Sequence, residues 1–318
     1  MEQRHIGGLQ VSALALGTMY FGTQTDEDTA FALLDRFHAA GGTLVDTANC
    51  YNQWLGEGGE SEAVIGRWLA SRGHDMVIAS KVGCQTTVPG KPVPDYFQGL
   101  GADVIRGGAV ETLRNLGRDH IDLYYAHFDD RDTPLEETVD AFAGLVESGK
   151  VRALGASNQA TWRIEQARAL ARAAGRPGYT AVQQKYTYLW TRQLPAQTDQ
   201  ASDELLDYAS SQPDVQVLAY TPLLKGAYVR SEVELPLTYD HPSNAARLRV
   251  LREVAADLGL TPNQVVLAWM MRGRPAVIPI IGASSVEQLD ELLGAADVTL
   301  APEIRDRLDA AGQNIGAR

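Results

Sequence analysis

Eight short runs of strand-forming residues alternate with amphipathic helical patterns along almost the whole chain, and this alternation limits the fold more than any other feature. The runs fall at residues 13–16, 43–46, 76–81, 121–127, 151–157, 181–185, 215–220 and 276–280. Between them lie stretches such as "DEDTAFALLDRFHAAG", "ESEAVIGRWLASRG", "AVETLRNLG" and "PLEETVDAFAGLVESG", in which Gly after a helical pattern is the expected C-terminal stop. Thr133, Pro134 and the acidic Glu136 and Glu137 read as a helix start. Strands each followed by a helix form a parallel sheet, because parallel neighbours need a crossover.

Such a sheet is either open and doubly wound or closed. No Gly-rich dinucleotide turn follows the first strand, and the β/α units recur at roughly 30-residue intervals, so closure into a (β/α)8 TIM barrel is expected. "RHIGGLQVSA" reads as an N-terminal β-hairpin around Gly7-Gly8. "NAARLRVLREVAADLG", "TPNQVVLAWMMRG" and "APEIRDRLDAAG" supply extra C-terminal helices. No linker-like composition shift divides residues 1–318, so one domain is expected. A net charge of -12 without a basic stripe argues against nucleic acid, and no apolar run approaches membrane-spanning length. Cys50 and Cys84 lack metal-ligand spacing and are too few for a disulfide framework, so no metal and a reducing cytoplasm are expected. Nothing in the sequence gives an oligomeric state.

"TLVDTANCYN", residues 43–52, begins as a buried strand and ends on a carboxylate and a phenol. Residues at the C-terminal ends of barrel strands point into the active-site mouth. The ends of strands two, three and four are Asp46, Lys81 and His127, and Tyr51 lies in the loop after strand two. Taken singly, Asp46 reads as a turn or cap residue, Lys81 as a solvated strand-end charge, Tyr51 as a rim aromatic and His127 as a structural imidazole. Together they make a proton-transfer set. An ammonium beside a phenol lowers its pKa by about 1–3 units from about 10, and the carboxylate keeps the ammonium charged. His127 orients a carbonyl oxygen. His5, His38, His74, His120 and His241 show no ligand spacing.

These segments resemble the aldo-keto reductase family. "DTANCY" is similar to its Asp-Thr-Ala-x-x-Tyr motif, "IASKVG" to its lysine strand and "DLYYAH" to its histidine strand, in the family's order. The resemblance spans about residues 6–312. It implies an NAD(P)H-dependent oxidoreductase that reduces an aldehyde or ketone, or oxidises the alcohol in reverse. Tyr51 is then the general acid, with Lys81, Asp46 and His127 beside it. "ALGASN" and "AVQQKY" resemble the segments that bind the nicotinamide carboxamide, which implies Ser157, Asn158 and Gln183 in preference to Gln184. "LAYTPLLKG" implies Tyr220 against the nicotinamide ring and Leu223, Lys225 and Gly226 at the pyrophosphate. "IPIIGASSVEQLDELL" resembles the adenosine-phosphate site, implying Gly282, Ser284 and Gln288. The resemblance implies NADPH. NADH stays open, because Ser284, Ser285 and Gln288 stand where relatives place Arg or Lys, with Glu287 and Asp290 close by.

Trp54, Phe128 and Trp190 lie in loops expected at the mouth, as substrate wall or as loop packing. A neutral carbonyl compound, a sugar or a secondary metabolite, is the expected substrate. Two other functions fit the same residues: a Schiff-base lyase using Lys81, and a cofactor-binding redox-sensing subunit of a larger complex.

Overall fold

The computed structural model of the chain describes residues 1–88, 96–192, 199–230 and 232–313. Strands β1 (Gln3–Ile6) and β2 (Leu9–Ser12) pair antiparallel, with Ile6 opposite Leu9. Gly7 and Gly8 turn the chain between them at φ of 52° and 87°, values open to glycine at little cost.

Eight parallel strands follow: β3 (Ala15–Gly17), β4 (Leu44–Asp46), β5 (Val77–Val82), β6 (Ile121–Ala126), β7 (Val151–Ser157), β8 (Tyr179–Lys185), β9 (Gln216–Tyr220) and β10 (Ile278–Ile281). Neighbours in sequence are neighbours in space, and β10 pairs with both β9 and β3, so the ring closes into a TIM barrel. The first and last barrel strands begin two residues later than the sequence suggests.

Helices α1 (Glu27–Ala39), α2 (Glu60–Arg72), α3 (Ala102–Leu116), α4 (Leu135–Glu147), α5 (Thr161–Ala173) and α6 (Asp203–Ser211) wrap the outside. After β9 come α7 (Asn244–Leu258) and α8 (Pro262–Met271), then α9 (Val286–Leu293) and α10 (Pro302–Ala310) after β10. Caps set these boundaries. The Asp26 carboxylate accepts the Thr29 N–H, and Thr261 with Gln264 forms a capping box ahead of α8. Gly73 and Gly117 end α2 and α3 in the left-handed region. At α4 the cap residue is Pro134, while the Thr133 hydroxyl donates to Asp130. No helix among the described residues is long and apolar enough to cross a membrane.

Period-two alternation assigns each strand residue to a side. Leu44, Ala79, Leu123, Ala153, Ala181, Leu218, Ile278 and Ile280 face one another inside the ring. Val45 and Ile78 pack outward under α1 and α2, and Tyr124, Val182 and Val217 outward under the other helices. Ile6 and Val11 of the hairpin join the interior cluster. A Cβ on Gly7 would lie 2.6 Å from the Thr180 hydroxyl and 2.9 Å from the Ala153 methyl, so the hairpin turn is seated against the N-terminal ends of β7 and β8. On the neighbouring strand β6 the Tyr125 ring occupies the place of a side chain at its register partner Gly155, where a Cβ would be 2.3 Å from it. The N-terminal end is thus closed by protein, and the chemistry sits at the other end.

Candidate active site

The same alternation carries one residue further along each strand. Asp46 follows Leu44 by two, Lys81 follows Ala79, His127 follows Tyr125, Ser157 follows Gly155, Gln183 follows Ala181 and Tyr220 follows Leu218. Every one of them caps the interior column at the C-terminal end of its strand. Parity also separates the adjacent glutamines. Gln183 faces Asp46, whereas the Gln184 side chain lies among β7–β8 loop backbone, accepting the Asn158 N–H and donating to Gln159 O.

Lys81 is fully buried, and its Nζ donates to Asp46 Oδ1 at 2.6 Å, Thr47 O at 2.7 Å and Tyr51 Oη at 2.9 Å. An ammonium has three N–H donors, and all three are satisfied, which is what makes a buried charge tolerable. The second oxygen of Asp46 accepts from Gln183 Nε2 at 2.7 Å. Tyr51 reaches Lys81 because the loop after β4 stays bound to β5. Thr47 N donates to Ala79 O and Asn49 N to Lys81 O, and Tyr51 N closes a turn onto Ala48 O. Asn52, at φ 72°, donates to Phe21 O and accepts from Thr23, pinning the far side of that turn.

The phenol departs from expectation in one respect. Burial, and then the Asp46 carboxylate, push the Tyr51 hydroxyl well above its ordinary pKa, so they outweigh the lowering by Lys81 anticipated from the sequence. Tyr51 therefore holds its proton firmly in this state. His127 stands edge-on to Tyr51 with ring centroids 6.1 Å apart, and Phe128 lies tilted against it at 5.4 Å. Phe97 adds to that wall at 6.4 Å from Phe128. Trp54 is half exposed, so its ring is free of the core. Trp190 is bound into the fold, with backbone bonds in both directions to Asn244 and its ring against Arg247 and His241.

Beside the tetrad, Asn158 takes φ 56° and donates to His127 O and to Ser157 Oγ, while the Tyr220 hydroxyl donates to Asn158 Oδ1 at 2.7 Å. Ser157, Asn158, Gln183 and Tyr220 thus form one polar ledge. The chain then runs through left-handed residues at Thr221, Leu224, Lys225 and Gly226. Such sequences of backbone can form a concavity that suits an anion, while here Leu224 N and Gly226 N already donate to Thr221 O and Leu223 O. Leu223 is half-buried beneath this turn and Lys225 is exposed on it. At the start of α9, Gly282 has open space where a side chain would stand, and Ser285 caps the helix. Ser284 donates through N and Oγ to Gln288 Oε1, and Asp290 pairs with Arg36. The ledge, the concavity and the open helix start together fit a nicotinamide dinucleotide.

Two features were out of reach of sequence reasoning. Thr47 contributes only its carbonyl, which no residue type announces. Cys50 and Cys84, distant in sequence and without ligand spacing, converge on His127, their donor atoms all within 4.8 Å of one another. The Cys50 Sγ lies 3.4 Å from His127 Nδ1. A hydrogen bond from Cys50, with His127 beyond it, holds the Cys84 thiol below its ordinary pKa, and the same bond with burial raises that of Cys50.

The family model for the aldo/keto reductase family matches residues 13–313. An uncharacterized oxidoreductase, YrpG, of Bacillus subtilis is 34% identical, covering 96% of this chain and 94% of its own length. A norsolorinic acid reductase of Emericella nidulans is 31% identical over 94% of this chain and 77% of its own. An aryl-alcohol dehydrogenase [NADP(+)] of Phanerodontia chrysosporium is 26% identical over 94% and 80% respectively. A closed barrel with these relatives and a family match over nearly its full length is a nicotinamide-dependent oxidoreductase, and the chain belongs to the aldo/keto reductase family.

Proposed function

We propose that this chain reduces aromatic aldehydes or ketones with NADPH, with Tyr51 as the proton donor. The observation that carries the reading is the single ammonium of Lys81 bridging Asp46 and Tyr51 inside the barrel mouth. Bound reduced nicotinamide supplies the hydride. As negative charge grows on the carbonyl oxygen, Tyr51 gives up its hydroxyl proton to that oxygen. Lys81 already donates into Tyr51 Oη, so the phenolate is formed against a fixed positive charge that needs no rearrangement. Asp46 holds Lys81 in place, and Gln183 holds Asp46. His127 directs the carbonyl oxygen toward Tyr51, and Phe128 and Trp54 line the approach. Ser157, Asn158 and Gln183 meet the carboxamide, Tyr220 the ring face, and the 221–226 concavity with Lys225 the pyrophosphate.

Aromatic substrates are favoured by the Phe97–Phe128–His127 wall and by the names of the norsolorinic acid and aryl-alcohol relatives. NADPH rather than NADH is favoured by the named cofactor of the latter. The bonds Lys81 makes are those of an ammonium, not of a nucleophilic amine, which weighs against Schiff-base chemistry. We also take hairpin, barrel and C-terminal helices as one catalytic domain.

The test is an NADPH-oxidation screen over aryl aldehydes, ketones and keto-sugars, repeated with NADH. Tyr51→Phe should lower kcat by about 100-fold or more, the usual contribution of a general acid, while NADPH affinity stays within about threefold. A Tyr51→Phe variant turning over at near the wild-type rate overturns the mechanism, and a higher kcat/KM with NADH overturns the cofactor assignment.

A further inference from the structure

Cys50, Cys84 and His127 come from the segments that follow three adjacent strands, β4, β5 and β6. Each segment contributes one soft or borderline donor to a single point: two sulfurs and an imidazole nitrogen, all buried and all within 4.8 Å of one another. Around them Ala48, Tyr51 and Phe128 form an apolar shell. Two thiols and a histidine gathered this way are more than small side chains filling a wall.

We propose that Cys50, Cys84 and His127 form a binding site for a thiophilic divalent cation of the zinc class, and that occupation of this site shuts off carbonyl reduction. In a tetrahedral zinc site the metal lies about 2.3 Å from sulfur and about 2.0–2.1 Å from nitrogen, which sets donors about 3.5–3.8 Å apart. Cys50 Sγ and His127 Nδ1 already stand at 3.4 Å. The remaining spread closes with side-chain shifts of about 1 Å. On binding, each thiol loses its proton to solvent and the ring nitrogen gives its lone pair while the other nitrogen keeps the ring proton. One dication is then neutralised by two thiolates, so the buried site carries no net charge, which is the condition for burying a metal cheaply.

The inhibitory half rests on the function proposed above. His127 is the imidazole that faces Tyr51, and a ring clamped to a metal by one nitrogen is no longer free to turn toward a carbonyl oxygen. The metal also crowds the loop that carries both Cys50 and Tyr51. Inhibition is therefore expected to be reversible by chelation and to act on kcat.

The protein should be stripped with EDTA, kept reduced with a phosphine and titrated with Co2+ alone, then with Zn2+ alone. Wild type is expected to bind one equivalent of Co2+ with sulfur-to-cobalt charge transfer in the near ultraviolet, displaced by Zn2+. Cys84→Ala and Cys50→Ala, tested separately, should each weaken Zn2+ binding by at least about 100-fold and diminish that band, with thermal unfolding used to confirm that both variants are folded. Reduction by wild type should fall with added Zn2+ and return with EDTA, whereas Cys84→Ala should keep its activity in Zn2+. A wild type without the charge-transfer band, or variants that bind Zn2+ within about threefold of wild type, overturns the site. Binding without loss of activity overturns the switch. An absence of any reductase activity would count against the function reading, and the cobalt spectrum would still decide the site.

Discussion

Lys81 shows at the scale of one residue how tightly structure and chemistry are joined here. Its ammonium and the Asp46 carboxylate are withdrawn from water together, so removing one leaves the other uncompensated. Lys81→Met should cost about 3–5 kcal/mol of stability, and Asp46→Asn added to it should recover part of that, as a double-mutant cycle by chemical denaturation will show. Glu62 is a second buried ionisable group with consequences. It accepts from Ser80, Thr112 and Asn115, yet burial raises its pKa above 4.5. A folded state that holds a proton more tightly than the unfolded one is most favoured below the unfolded value, and loses stability as pH rises from there through the raised native value. Glu62→Gln removes that titration. Its melting temperature relative to wild type should rise as pH is taken from about 4 to about 8, and a constant difference would contradict the assignment. Asp46, Lys81 and His127 were legible because a strand-end position suffices to place them at the mouth, whereas Gln183 was reached only through the resemblance of "AVQQKY". The direction of the Tyr51 shift was not, since it depends on how much water the folded loop excludes, and residue types do not carry that.

At the scale of elements, the β/α alternation was readable because each crossover leaves both a two-residue and a 3.6-residue period in the chain. Boundaries were less so. The start of α4 reads as a Thr133 cap, but Asp130 competes for that hydroxyl from the preceding loop. The left-handed turn at 221–226 was not legible, since Thr221, Leu224 and Lys225 are residues that rarely adopt positive φ. The hairpin is the element whose place is easiest to test. Gly7→Ala puts a methyl against Thr180 and Ala153 in a backbone region glycine alone enters freely. A loss of about 1–3 kcal/mol in unfolding free energy is expected, with kcat unchanged, because the hairpin seals the end of the barrel away from Tyr51. A Gly7→Ala enzyme as stable as wild type would mean the hairpin is not seated there.

For the whole molecule, closure makes the parts depend on one another. The inner column continues from Ile6 and Val11 through Tyr125 to the ion pair, and the outer faces of the same strands hold the helices. Hairpin, barrel and terminal helices should therefore unfold in one transition, with calorimetric and van't Hoff enthalpies equal; two resolved transitions would contradict this. β10 has a particular standing in that ring. Among the described residues it is the last barrel strand in sequence, yet it is bonded on both sides, to the first barrel strand β3 and to β9. A sheet with two ends can shed an outermost strand and keep the rest. A ribosome that stalls before Ile278, or a protease that cuts there, leaves instead two bare rows of amide and carbonyl groups facing a gap, the kind of edge that recruits other chains. The newly made protein is thus exposed to aggregation until β10 has emerged, and quality control has one step on which the integrity of the entire cylinder turns.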